Sequence, residues 1–133
     1  MWCLDNGKAE VLMVENKNIV VTGCLQGIGR ETLRVLAEHG ANVISCAVEQ
    51  DDEFEEYCNL LAVKNKVEIT PVYFDMRDND EIKQAAKSIM NLKKEIHGLI
   101  NIAGINKDAY FSMITYQDML DTFQVNFFSQ IIF

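Results

Sequence analysis

Between the β-branched run Ile19-Val20-Val21 and an amphipathic helical pattern lies Thr22-Gly23-Cys24-Leu25-Gln26-Gly27-Ile28-Gly29, a turn holding three glycines. A strand that ends in such a turn and runs straight into a helix brings backbone N–H groups and the positive end of the helix dipole to one point, with no side chain in the way. A pyrophosphate needs that combination, so the stretch reads as a dinucleotide phosphate cradle. Gly23 permits the sharp exit from the strand, Gly27 a close backbone approach to phosphate, and Gly29 tight packing of helix on strand. Gln26 and Ile28 complete the set of residues facing the ligand. A second strand-like run over 42–47 follows about one βαβ unit later, the context such a turn requires.

Along the rest of the chain β-like and helical periods alternate, the pattern of a doubly wound parallel α/β sheet. The first strand is expected over 18–22. A helix follows from about Gly27 to His39 with Ile28, Leu33, Leu36 and Ala37 on its buried face and Gly40 as the residue that ends it. Strand two is expected over 42–47. The next helix covers 51–65, and its acidic start, Asp51-Asp52-Glu53, suits the helix dipole. Strand three covers 67–74 and contains Pro71, which a central ladder tolerates poorly, so this strand belongs at the sheet edge. A strand order of 3-2-1-4 puts it there. Asp78-Asn79-Asp80-Glu81 has the form of a capping box and opens a helix to about Ile96. Strand four is expected over 99–102, and 115–133 reads as one helix with Met119, Leu120, Phe123, Phe127 and Ile131 among its apolar positions.

Composition narrows the partners. The 133 residues, 49% hydrophobic and 24% charged, suit a single globular domain. Twelve basic against twenty acidic side chains give a net charge of −8, which argues against nucleic acid or an anionic membrane surface as the main partner. Cys3, Cys24, Cys46 and Cys58 form no CxxC and no metal-ligand spacing, so they read as reduced thiols and the protein as cytoplasmic. No apolar run reaches membrane-spanning length, and residues 1–17 lack the apolar core of a signal peptide. His39 and His97, each beside a glycine near an expected helix end, read as structural. Lys83, Lys87, Lys93 and Lys94 read as a solvated helix face.

The spacing Gly-x-x-x-Gly-x-Gly after Thr22 resembles the short-chain dehydrogenase/reductase family, and three further segments match that family in order. Asp75-Met76 follows strand three, Asn101-Ile102-Ala103-Gly104 follows strand four, and Val125-Asn126 lies in the next helix. The resemblance covers residues 17–133 and implies a Rossmann-type domain with an incomplete, truncated sheet, residues 1–16 forming an N-terminal extension. Relatives begin just before the first strand, so Met13 is expected to be the initiator and Met1 to Leu12 an over-extended reading frame. The resemblance further implies an Asp75 that bonds near adenine, a cofactor contact from Met76, Asn101, Ala103 and Gly104, and a catalytic Asn126 that positions a water in a proton relay. Gly104-Ile105, Asp108-Ala109 and Val125-Asn126-Phe127-Phe128 look most like the 3-oxoacyl carrier-protein reductase branch.

Cofactor choice turns on the end of strand two. An acid there accepts the 2′-OH of NAD, while a nearby Arg favours the 2′-phosphate of NADP. The position holds Ala47, followed by Val48 and Glu49, and where the family's NADP readers carry a basic residue, just before the second glycine or just after the strand, this chain has Gln26 and Val48; the missing acid and the open space at Ala47 favour NADP over NAD. In the family a Tyr donates the proton, a Lys four residues later lowers its pKa and a Ser polarises the carbonyl. Here Leu61, Arg77, Ile114 and Leu120 stand four after Tyr57, Tyr73, Tyr110 and Tyr116. Two readings follow: the cofactor-binding N-terminal portion of a reductase acting on a ketone or alcohol, or a non-enzymatic remnant that works by association. In relatives the helix over 115–133 is also an oligomer interface, and Phe127, Phe128, Ile131, Ile132 and Phe133 are expected to lack partners within the chain.

Overall fold

The computed structural model describes residues 11–133. Four strands form one parallel sheet: β1 (Asn18–Thr22), β2 (Asn42–Ala47), β3 (Ile69–Tyr73) and β4 (Gly98–Ile100), in the order β3-β2-β1-β4. The register sets Val20 opposite both Ile44 and Leu99, and Ala47 opposite Tyr73. Pro71 lies in the edge strand β3, as its missing N–H requires.

Alternation along the strands feeds two cores. Ile19, Val21, Val43 and Ala47 face α1 (Gly27–Glu38) and α2 (Asp52–Asn65), packing with Leu33, Leu36, Phe54, Cys58 and Leu61. Val20, Ile44 and Cys46 face the other way and pack with Ile82, Ala85 and Ile89 of α3 (Asn79–Asn91). Leu33, Phe54 and Ile82 are completely buried, and each such side chain contributes about 1.5–3 kcal/mol. Helices on both faces make the sheet doubly wound.

Helix ends follow local chemistry. The Asp51 carboxylate accepts from Phe54 N at 2.7 Å and caps α2 from outside, so the helix starts one residue later than expected. Gly40, at φ +80°, follows the His39 cap of α1. Asp78 caps α3 by accepting from Asp80 and Glu81 N, but Glu81 turns back to Asp75 N at 2.7 Å rather than to Asp78, so the expected box is half formed. Helix α3 stops at Asn91, short of Ile96, and Lys93 adopts a left-handed φ of +53°. His97 stands at no helix end: its Nδ1 accepts from Asn18 N at 3.1 Å beside β4.

The final segment is not one helix. A 3-10 turn (Phe111–Met113) leads to α4 (Tyr116–Phe123), a π-helical stretch over Gln124–Phe128, and α5 (Ser129–Ile132). The Ser129 N–H bonds the Gln124 carbonyl five residues back. Phe127, Phe128, Ile131 and Ile132 are exposed, although the Phe127 and Phe128 rings meet edge to face at 5.5 Å; Phe133 is not without a partner, since its ring stacks on Phe74 at 5.1 Å.

Candidate functional site

An open cleft of about 650 Å³ runs along the C-terminal ends of the strands, the place where α/β sheets bind ligands. Its floor and walls come from the turn after β1, the ends of β2 and β3, and the loop after β4.

The turn after β1 is held to the β4 loop by one hydroxyl. Fully buried Thr22 Oγ1 accepts from Ile102 N and Ala103 N, each at 3.1 Å. At Gly23, with φ +76°, a Cβ would lie 2.8 Å from the backbone of Ala103, and at Gly29 a Cβ would lie 1.9 Å from the Gly23 carbonyl oxygen. Side chains larger than hydrogen are excluded at both. Gly27, at φ +58°, has open space where a Cβ would stand. Gln26, at the N-cap position of α1, makes no side-chain capping bond, so the first N–H groups of that helix have no side-chain acceptor.

The opposite wall is organised by the π-helical stretch. Asn126 Oδ1 accepts from Ile105 N at 2.8 Å, and its Nδ2 donates to Ile105 O at 2.9 Å. Gln130 Nε2 donates to Ala103 O at 2.9 Å. Toward β3, Gln124 Nε2 donates to Met76 O at 3.3 Å and to Asn79 Oδ1 at 2.8 Å. A segment of seven residues thus fastens the loops after both β3 and β4, and its Val125 reaches the cleft floor.

Three charged side chains line the cleft: Asp75, Arg77 and Lys107. Arg77 grips the Asp75 carboxylate, Nη2 to Oδ2 at 2.5 Å and Nε to Oδ2 at 2.9 Å, and holds that carboxyl below its ordinary range while its own guanidinium rises. Lys107 stands 3.8 Å from Asp118. Burial pushes the Cys46 thiol up to about 12 and raises Cys24 and Cys58 as well; all three are free thiols.

Of the residues expected at a cofactor site, Gly23, Gln26, Ile28, Gly29, Ala47, Asp75, Met76, Ala103 and Gly104 line this cleft. Gly27, Asn101 and Asn126 do not. Gly27 faces outward beside it, Asn101 is exposed, and the Asn126 amide is spent on Ile105. Ile28 is not on the buried face of α1: in the first turn it projects past the sheet end and is 76% exposed. Arg77, Lys107 and Gln130 were not singled out for the site from sequence; the only signal for Arg77 was a cation two residues after Asp75. Among the described residues no His/Cys/Asp/Glu group could hold a metal, and no helix is long and apolar enough to cross a membrane.

Residues 17–133 match the family described as short chain dehydrogenase. The chain is similar to the 3-oxoacyl-[acyl-carrier-protein] reductase FabG of Staphylococcus epidermidis, 31% identical over 111 residues, covering 84% of this chain and 45% of that protein. It is also similar to the L-xylulose reductase of Caenorhabditis elegans, at 34% identity, with 84% of this chain and 42% of that protein covered. The chain spans less than half the length of these two curated relatives. Among solved structures, a short-chain dehydrogenase/reductase from Serratia marcescens superposes with TM-score 0.81 at 21% identity, over 90% of this chain and 48% of the other. An NADH-dependent reductase responsible for alginate metabolism gives TM-score 0.81 at 20% identity, over 91% and 49%.

Proposed function

The chain belongs to the short-chain dehydrogenase family, and from that premise we propose that its cleft seats a nicotinamide dinucleotide, NADP in preference to NAD, as the cofactor-binding part of an oxidoreductase acting on a ketone or alcohol. The observation that carries this reading is the start of α1, where a helix end with no side-chain cap meets a glycine turn in the wall of the cleft. Backbone donors and the helix dipole favour a pyrophosphate there.

Gly23, Gln26, Ile28 and Gly29 would hold the pyrophosphate, with Gly27 leaving the approach clear. Ala47, Asp75 and Met76 would flank the adenosine, and Ala103 and Gly104 the nicotinamide end. When bound, the dinucleotide supplies or accepts a hydride. The chain's own residues bind and orient it and keep water from the floor of the cleft through Phe74, Met76 and Val125. Asn126, assigned a catalytic place by resemblance, acts here by fixing Ile105. No Tyr is followed four residues later by Lys, so these residues do not include the family's proton donor, a group worth about 10²- to 10⁴-fold in rate. Similarity to the Staphylococcus epidermidis reductase makes a 3-oxoacyl carrier-protein thioester the favoured substrate class, in a reductase of the cytoplasm that self-associates through α4 and α5.

Titration of the chain with NADPH and NADH, followed by nicotinamide fluorescence, tests the reading. Saturable binding in about the micromolar to millimolar range is the expected result; no saturation by either nucleotide overturns it. The exposed Phe127, Phe128 and Ile131 favour a second reading, association without chemistry, which self-association in the absence of any nucleotide binding would support.

A further inference from the structure

Recognition of a 2′-phosphate requires a cation at the adenosine end of the cleft, and neither Gln26, before the second glycine, nor Val48, just after β2, is one. The neighbouring strand brings one instead. Phe74 N donates to Ala47 O at 3.0 Å, and Tyr73 lies opposite Ala47. The turn over residues 75–77 therefore leaves the sheet beside the end of β2, and Ala47, Val48, Asp75 and Arg77 line the same cleft. Resting on the dinucleotide reading above, the geometry points to Arg77 as the residue that binds the 2′-phosphate and so selects NADP.

The guanidinium is set in place before any ligand arrives. Arg77 N donates to Asp75 Oδ1 at 2.8 Å, and Nε bonds both carboxylate oxygens, at 3.1 and 2.9 Å. Glu81 fixes the other side of the turn through Asp75 N. The side chain of Arg77 remains 57% exposed, and its Nη1 has no hydrogen bond among the described residues. Nη1 offers two N–H donors and Nη2 a second, an edge shaped for phosphate oxygens. Both Asp75 oxygens are already occupied, so its carboxylate anchors Arg77 and is neutralised by it.

The acids around this end are turned to other work. Asp51 caps α2, Glu53 pairs with Arg30 at 3.2 Å, and Glu55 accepts from Tyr73 and Gln50. Asp121, which also faces Arg77, accepts from Gln117. Glu49 follows Val48 but does not line the cleft. Lys107, the other cleft cation, belongs to the β4 loop and pairs with Asp118.

The test compares NADPH and NADH binding by the native chain, Arg77→Gln and Arg77→Lys, with 2′,5′-ADP and 5′-ADP as competitors. The native chain is expected to prefer NADPH and 2′,5′-ADP. Loss of a charge-assisted phosphate contact should weaken NADPH about tenfold or more in Arg77→Gln, leave NADH within about twofold, and abolish the preference for 2′,5′-ADP. Intact NADH binding also shows that the variant is folded. Arg77→Lys keeps the charge without the fork and should lose less; if Arg77→Gln melts below the assay temperature, Arg77→Met, which also removes the charge, decides by the same criterion. Equal losses for both nucleotides, or no loss for NADPH, overturn the assignment. A native chain that binds NADH in preference overturns it while leaving the dinucleotide reading intact; one that binds neither removes both.

Discussion

A methyl group at Gly29 would sit 1.9 Å from the Gly23 carbonyl oxygen, a contact no side-chain rotation relieves because both partners are backbone. Gly29→Ala should cost about 3 kcal/mol or more, read as a lower urea midpoint. Gly27→Ala meets no atoms and should cost only about 1–2 kcal/mol, from its left-handed backbone. The thiols make a second prediction at this scale. Cys24, Cys46 and Cys58 are buried with raised pKa values, and thiolate is the reactive form. Mass mapping after treatment with a thiol reagent at pH 8 should find these three unlabelled in the folded protein and labelled in urea. The glycines of the turn were legible in the sequence because each answers a local backbone demand. Arg77 and Gln130 were not, since their partners are set by the folded topology or by side-chain direction rather than by spacing.

Elements were legible where one residue type forces a boundary. Pro71 put β3 at the edge, Gly40 ended α1, and Asp78 opened α3. The π-helical stretch left no such mark, because its five-residue bonds have no preferred residue type; it is accompanied by contacts from Gln124, Asn126 and Gln130 to the loops they fasten. The burial of Ile28 was misjudged because helical periodicity counts faces and does not say where the sheet beneath them stops. The reciprocal capping box absent from α3 occurs at α4, where Thr115 Oγ1 accepts from Asp118 N at 3.1 Å and Asp118 accepts from Thr115 N at 3.1 Å. Thr115→Ala should lower stability by about 1 kcal/mol, measured by denaturant unfolding, with the heaviest loss of amide-exchange protection in α4.

Across the whole molecule, acid should be the damaging extreme of pH. Hydrogen bonds from Arg77, Thr115 and Arg34 hold Asp75, Asp118 and Glu31 below their ordinary values. Depressed carboxylates stabilise fully above their unfolded pKa, about 4, and the benefit is lost as pH falls through the folded values. Urea midpoints should therefore drop below about pH 4, and less steeply in Asp75→Asn. The row of exposed apolar side chains on the last segment calls for sedimentation measurements: Phe127→Glu with Ile131→Glu should bring the average mass down to the 15.1 kDa monomer. That same segment, residues 124–130, is fastened to both rims of the cleft and presents phenylalanines on its outer side. Whatever covers the outer side and whatever fills the cleft therefore pull on one piece of backbone. If its position shifts with either event, the two affinities are thermodynamically linked, each changing the other by the same factor.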